Sequence, residues 1–154
     1  MADLVTHYLT ARLPAARLSR PVQAAFVAGV MLPDLVGKLL EVVLHTANRF
    51  YVPSHTVLGL ALYGYVASFA FEERLRPKAW LALWLGGCLH ILVDLFKDTM
   101  GSASSALFLF PLAVEPFEFG LYDPIHAIWT LPIALASVAA WEALARTKGN
   151  HVWE

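Results

Sequence analysis

His90 and Asp94 stand four residues apart in the run Gly86-Gly87-Cys88-Leu89-His90-Ile91-Leu92-Val93-Asp94. On a helix that spacing stacks two side chains one turn apart on one face, so an imidazole nitrogen and a carboxylate address a single point. Such a pair is either hydrogen-bonded to itself or half of a metal site. Asp98 continues the face by another turn, while Gly86 and Gly87, one turn below His90, leave room for a second helix to come close. Further ionisable residues interrupt apolar stretches: Asp34 after Pro33, His55 after Ser54, and Asp123 before Pro124, with His126 close behind. Each has a plainer reading, Asp34 and Asp123 as helix N-caps and His55 as an interfacial residue at a helix start.

The elements that position these residues follow from composition. Of 154 residues, 58% are apolar and 15% charged, with a mean hydropathy of +0.60. A soluble domain carries about 25% charged residues, so the sequence predicts one integral-membrane domain over 1–154. A net charge of −1 and a pI near 6.6 exclude an electrostatic nucleic-acid binder. Cys88 is the one cysteine, which excludes an internal disulfide and a thiolate zinc knuckle, so a metal site must draw on His, Asp or Glu.

A bilayer core of about 30 Å needs about 20 helical residues. Four stretches approach that length. Phe50 to Phe71 has 22 residues interrupted by His55 alone; Ala79 to Val93 has 15 and is lengthened by Pro77 before it and Asp94 and Lys97 after it. Pro124 to Trp141 has 18, and Pro21 to Pro33 has 13 and reaches about Leu44 only by passing Pro33, Asp34, Lys38 and Glu41. The first twenty residues lack the long apolar core of a signal peptide and read as an amphipathic, interfacial or re-entrant helix. Asp98 to Asp123 reads as a structured loop or re-entrant piece, and Trp80, Trp84, Trp129 and Trp141 as a lipid-facing or interfacial belt. The expected fold is all-α: a small polytopic membrane bundle of about four transmembrane helices plus the N-terminal helix.

Counted from the cationic ends, Asp34 lies 14 residues beyond Arg20, His90 lies 12 beyond Lys78, and His55 lies 17 before Glu72. At the standard rise these are depths of roughly 18 to 26 Å. Ionisable residues from three segments thus converge on one level, and such residues inside a membrane mark functional sites.

Together with Thr6-His7, the runs Gly29-Val30-Met31-Leu32-Pro33-Asp34, Ser54-His55-Thr56 and His90-Ile91-Leu92-Val93-Asp94-Leu95, followed by Gly101 and Phe110-Pro111-Leu112, resemble the motifs of the YdjM-type membrane-bound metal-dependent hydrolases, in order and over roughly residues 1 to 112. Many members carry His-Arg-Gly-x-Thr-His-Ser around the second motif, where this chain has Tyr51-Val52-Pro53-Ser54-His55-Thr56. A basic residue and an extra histidine are therefore absent. The resemblance implies that His7, Asp34, His55, His90 and Asp94 are ligands of a divalent metal, zinc foremost, with manganese or magnesium as alternatives. His7 lies five residues before Arg12, about 7 to 8 Å of helix, so its participation requires the N-terminal segment to fold back into the protein.

The function expected is metal-assisted hydrolysis of a lipid or lipid-linked (phospho)ester in a prokaryotic cytoplasmic membrane. In that scheme Asp34 bridges a second ion or acts as base, and Glu118 or Asp123 is a reserve base. The competing expectation is a non-catalytic membrane protein with a structural metal site, packed against itself or into a larger complex. Eight cations (Arg12, Arg17, Arg20, Arg74, Arg76, Lys78, Arg146 and Lys148) lie on one side of the four-span arrangement and three (Lys38, Arg49 and Lys97) on the other, which makes both termini cytoplasmic. Cysteine-accessibility mapping on a Cys88-free background should label positions 76 and 148 from the cytoplasm and 104 from the opposite side; cytoplasmic labelling at 104 would reverse the orientation.

Overall fold

The computed structural model describes residues 2–44, 51–96, 109, 110, 112, 119–121 and 127–147. Within them the chain is helical without strands: α1 (Ala2–Ala15), α2 (Arg20–Leu44), α3 (Tyr51–Ser54), α4 (Val57–Ser68), a short 3-10 turn at Glu73–Leu75, α5 (Arg76–Asp94) and α6 (Ala127–Thr147). Proline placement accounts for several boundaries. Pro14 falls in the last turn of α1, and Pro21 and Pro77 open α2 and α5, where a missing N–H costs nothing.

Helices α2 and α5 form the centre and run parallel. Gly86 backs onto the Phe26 carbonyl, and the His90 ring reaches the Val30 carbonyl, an advance of four residues on each helix. Gly29 closes the same seam, since a Cβ there would collide with the Leu83 backbone. Helix α4 runs antiparallel on the other side of α5: the Trp84 indole donates to the Val57 carbonyl at 3.1 Å and the Trp80 indole to that of Ala61 at 2.9 Å. Trp80 and Trp84 therefore join two helices. Ala11 and Ala15 of α1 pack with Ala25, Phe26, Ala82 and Leu83 into a core of small side chains, and α6 lies against α1.

The N-terminal segment is thus a member of the bundle, with Thr6, His7, Leu9, Ala11 and Ala15 buried. The Arg12 guanidinium pairs at 2.7 Å with Glu142 of α6, which ties α1 to that helix, and both side chains are about three-quarters covered. The uncharged run from Phe50 to Phe71 is not one helix either. Thr56 caps a new helix, its hydroxyl accepting from the Gly59 N–H at 3.0 Å, and this separates α3 from α4 at His55.

Among the described residues one helix is long and apolar enough to cross a membrane, Arg20–Leu39, the stretch the sequence made most awkward. Val57–Ser68 and Leu135–Leu144 are shorter apolar helices. Beyond α5, the Phe119 and Leu121 N–H groups donate to the carbonyls of Leu95 and Phe96 at 2.7 and 2.9 Å. Gly120, between them, takes the left-handed φ of 58°.

The α2/α5 seam sets a stability prediction. A methyl group on Gly86 meets the Phe26 carbonyl and the Val30 N–H, backbone that cannot yield without parting the helices, so Gly86→Ala should cost about 1 to 3 kcal/mol. Gly64→Ala, whose methyl would sit 3.4 Å from Leu83 Cβ, should cost less. Thermal unfolding in detergent measures both, and equal melting temperatures would refute the close crossing.

Candidate metal centre

All five residues that the sequence nominated as ligands come together where α1, α2, α5 and the α3–α4 break meet. His7, Asp34, His55, His90 and Asp94 are each at most 8% exposed. Asp34 lies mid-helix, thirteen residues after Pro21 in α2, which excludes the N-cap reading. His55 sits in the break between α3 and α4, so its ring leaves the helix path and turns inward. His90 and Asp94 share a face of α5 as their spacing requires. Glu118, Asp123, Asp98 and His126 lie outside the described residues.

The His90 ring fixes the electrostatics. Its Nδ1 lies 2.8 Å from the Val30 carbonyl oxygen in a fully buried contact. A carbonyl only accepts, so Nδ1 carries the hydrogen and Nε2 is the nitrogen that a neutral, metal-binding ring would offer to the pocket. That Nε2 is buried and makes no hydrogen bond. It faces Asp94 Oδ2 at 3.2 Å and Asp34 Oδ1 at 3.9 Å. His55 Nε2 faces the same two oxygens at 3.9 and 3.8 Å, with its Nδ1 held by the Ser54 hydroxyl at 3.0 Å. Lone pairs and carboxylate oxygens crowded in a buried space repel one another unless a positive charge lies among them.

The spacing suits a single small cation. Ligand atoms bound tetrahedrally to zinc at its usual bond lengths lie about 3.3 Å apart or slightly more, and the contacts here run from 3.1 to 3.9 Å. Two overlapping triads, His7–His90–Asp94 and Asp34–His55–His90, each bring one donor atom per residue to within 4.8 Å of the others. They share His90, which has one lone pair to give, so it joins one ion and not two. A ring nitrogen bonded to a backbone carbonyl while the other faces the ligand pocket is the usual arrangement around protein-bound metals. The buried cluster can hold a divalent ion, and its all-nitrogen-and-oxygen donor set leaves the metal's identity open.

His7 occupies a different position from the other two histidines. Its ring stacks on His90 with centroids 3.9 Å apart and planes 19° from parallel. His7 Nε2 meets Asp94 Oδ1 at 3.1 Å, the oxygen that does not face His90.

Three contributors escaped the sequence reading. The Val30 carbonyl is invisible in side-chain chemistry, although Pro33, which leaves the neighbouring Gly29 carbonyl without its helical N–H, signals a disturbed hydrogen-bond ladder there. Ser54 stood in the quoted motif without a role. Lys38, one turn beyond Asp34 on α2, places Nζ 3.5 Å from Asp34 Oδ2; an i, i+4 count from Asp34 would have found it.

No family model, curated protein or solved structure matches the chain.

The geometry orders the residues by their effect on metal. His90→Ala or Asp94→Ala should abolish most metal binding in protein purified in detergent. His7→Ala, which removes the ring that meets Asp94 Oδ1 at 3.1 Å, should weaken affinity by about 10- to 100-fold at unchanged stoichiometry. Elemental analysis and competition with a chromogenic chelator measure these, and full occupancy in the His90/Asp94 double variant would exclude the cluster as the site.

Proposed function

We propose that the cluster binds a divalent cation, zinc foremost, with manganese or magnesium as alternatives. On this reading the chain is a membrane-embedded hydrolase of a lipid or lipid-linked (phospho)ester, as the YdjM-type resemblance implies. The observation that carries the metal reading is the His90 ring, locked by Val30 so that its lone pair faces two carboxylates in a buried space. A bound divalent ion supplies Lewis acidity and brings the pKa of a coordinated water toward neutrality.

The chain's own residues divide the remaining work. His90, His55 and Asp94 hold the ion, and His7 keeps the Asp94 carboxylate turned toward it. Asp34 Oδ1 stands at the looser distances of 3.8 and 3.9 Å from His55 and His90, placed to accept a proton from the attacking water. Glu118 and Asp123 remain the reserve bases named from sequence. A His/carboxylate donor set is that of catalytic zinc sites, whereas structural sites draw mainly on thiolates.

A membrane setting is supported by what the helices present outward. Leu58, Leu62, Tyr65, Val66 and Phe69 of α4 are all more than half exposed, and α6 exposes Ile133, Leu135, Trp141 and Leu144. In water such faces would be an aggregation hazard; in lipid they are the solvent-matched surface. The Trp80 and Trp84 N–H groups, sited near these faces, are satisfied by α4 carbonyls and need no water. We place α2, α3–α4, α5 and α6 as the four spans, with both termini cytoplasmic.

One observation favours the structural-site reading: Asp34 Oδ1 is near enough to both histidines to be a fourth ligand, and four protein ligands close a zinc site. Asp34→Asn separates the two. If Asp34 is the base, the variant should retain zinc while losing at least about 100-fold in turnover of a phosphodiester or carboxylic ester lipid. Loss of zinc from Asp34→Asn, with no turnover by the wild-type protein, would establish the structural site instead.

A further inference from the structure

We infer that Lys38 is the anion-recognition residue of this centre and that the ligand it takes is a phosphoryl group bearing one negative charge, as in a phosphodiester. The inference rests on the metal reading above and narrows its substrate class.

Its first support is a charge count. Among the described residues, which do not include the reserve bases Glu118 and Asp123, the centre holds two carboxylates, Asp34 and Asp94, and the rings of His7, His55 and His90; the histidines that bind the ion do so in the neutral form. The carboxylates' two negative charges cancel a divalent ion. Lys38 then adds one positive charge, with Nζ 3.5 Å from Asp34 Oδ2. A centre with one uncompensated positive charge in weakly polarisable surroundings draws an anion. A singly charged phosphodiester restores neutrality, while an uncharged carboxylic ester does not.

The second support is placement. Asp34 directs Oδ1 toward His55 and His90 and Oδ2 toward Lys38. The ion and the ammonium therefore lie on opposite oxygens of one carboxylate, and a group with two free oxygens can address both. Access is graded in the same direction: the Asp34 side chain is 7% exposed and that of Lys38 52%, so Lys38 reaches from the buried donors to the outside of the bundle. The other described cations do not compete for this role. Arg17, Arg20, Arg74, Arg76 and Lys78 lie before or within the first turns of α2 and α5, the ends remote from the centre, Arg12 is engaged with Glu142, and Arg146 lies in the last turn of α6, a helix that brings no donor to the centre.

The plain alternative is that Lys38 only pairs with Asp34 along the helix. Binding of inorganic phosphate to zinc-loaded protein in detergent, followed by titration calorimetry, distinguishes the two. Lys38→Met should weaken phosphate binding by about tenfold or more, the worth of one charge-assisted hydrogen bond, at unchanged zinc stoichiometry, and Lys38→Arg should keep most of it. A second arm replaces phosphate with short-chain phosphatidylglycerol, against a neutral diacylglycerol control. Lys38-dependent binding of the phospholipid identifies a headgroup as the source, and Lys38-dependent binding of phosphate alone identifies the free anion. Equal phosphate affinity in wild type and Lys38→Met, both loaded with zinc, overturns the role of Lys38 and leaves the metal centre standing. Wild-type protein that takes up no zinc or manganese overturns both.

Discussion

The contact between His90 Nδ1 and the Val30 carbonyl ties the bundle to its chemistry. It is a helix-to-helix bond, so it forms only if α2 and α5 approach at the distance that Gly29 and Gly86 allow. It also decides a tautomer. With Nδ1 committed as donor, Nε2 is the nitrogen left to take up a cation, and it faces a space occupied by the oxygens of Asp34 and Asp94. A bulkier residue in the seam would therefore alter the electronic state of the centre as well as the packing. Backbone geometry and site chemistry are here one constraint.

The rest of the fold can be read as supplying that centre from four directions. Helix α2 brings Asp34, α5 brings His90 and Asp94, α1 brings His7, and the interruption between α3 and α4 brings His55. The interruption matters because a continuous helix through residue 55 would keep the ring on a helix face, whereas the Thr56 cap restarts the helix and frees the preceding residues to turn inward. Small residues dominate the contacts between α1, α2 and α5. They let three backbones come near enough for short side chains such as Asp to meet, a mode of packing that helices in lipid favour because it gains contact area without relying on water exclusion.

How much of this was legible depended on the kind of signal. The four-residue spacing of His90 and Asp94 needs no tertiary knowledge, and the glycines below them announced a close crossing, so the centre of the site could be read directly. Helix identity was legible for the same reason, since periodic apolar runs and prolines mark it locally. Charge alone was blind to two features. That the N-terminal segment folds back, as His7's participation requires, depends on its packing against the bundle and on the pairing of Arg12 with Glu142, 130 residues away in sequence. The run from Phe50 to Phe71 was judged by its lack of charge, a criterion that is blind to a capping hydroxyl at Thr56. The links that Trp80 and Trp84 make to α4 were hidden in the same way, because an indole beside lipid and one bonded to a neighbouring helix look alike in sequence.

An ion in this centre would link folding to binding more tightly than a surface site does. Its donors come from α1, α2, α5 and the α3–α4 junction, so occupancy ties together four segments whose association otherwise rests on small apolar contacts. The buried carboxylate oxygens at 3.2 and 3.9 Å from His90 Nε2 need a positive charge among them, and a bound ion would supply it. Binding free energy released at such a site is therefore also free energy of helix assembly. The residues that secure the ring and the carboxylates, Val30, Ser54 and His7, act on the bundle's cohesion through the ion even though none of them need touch it.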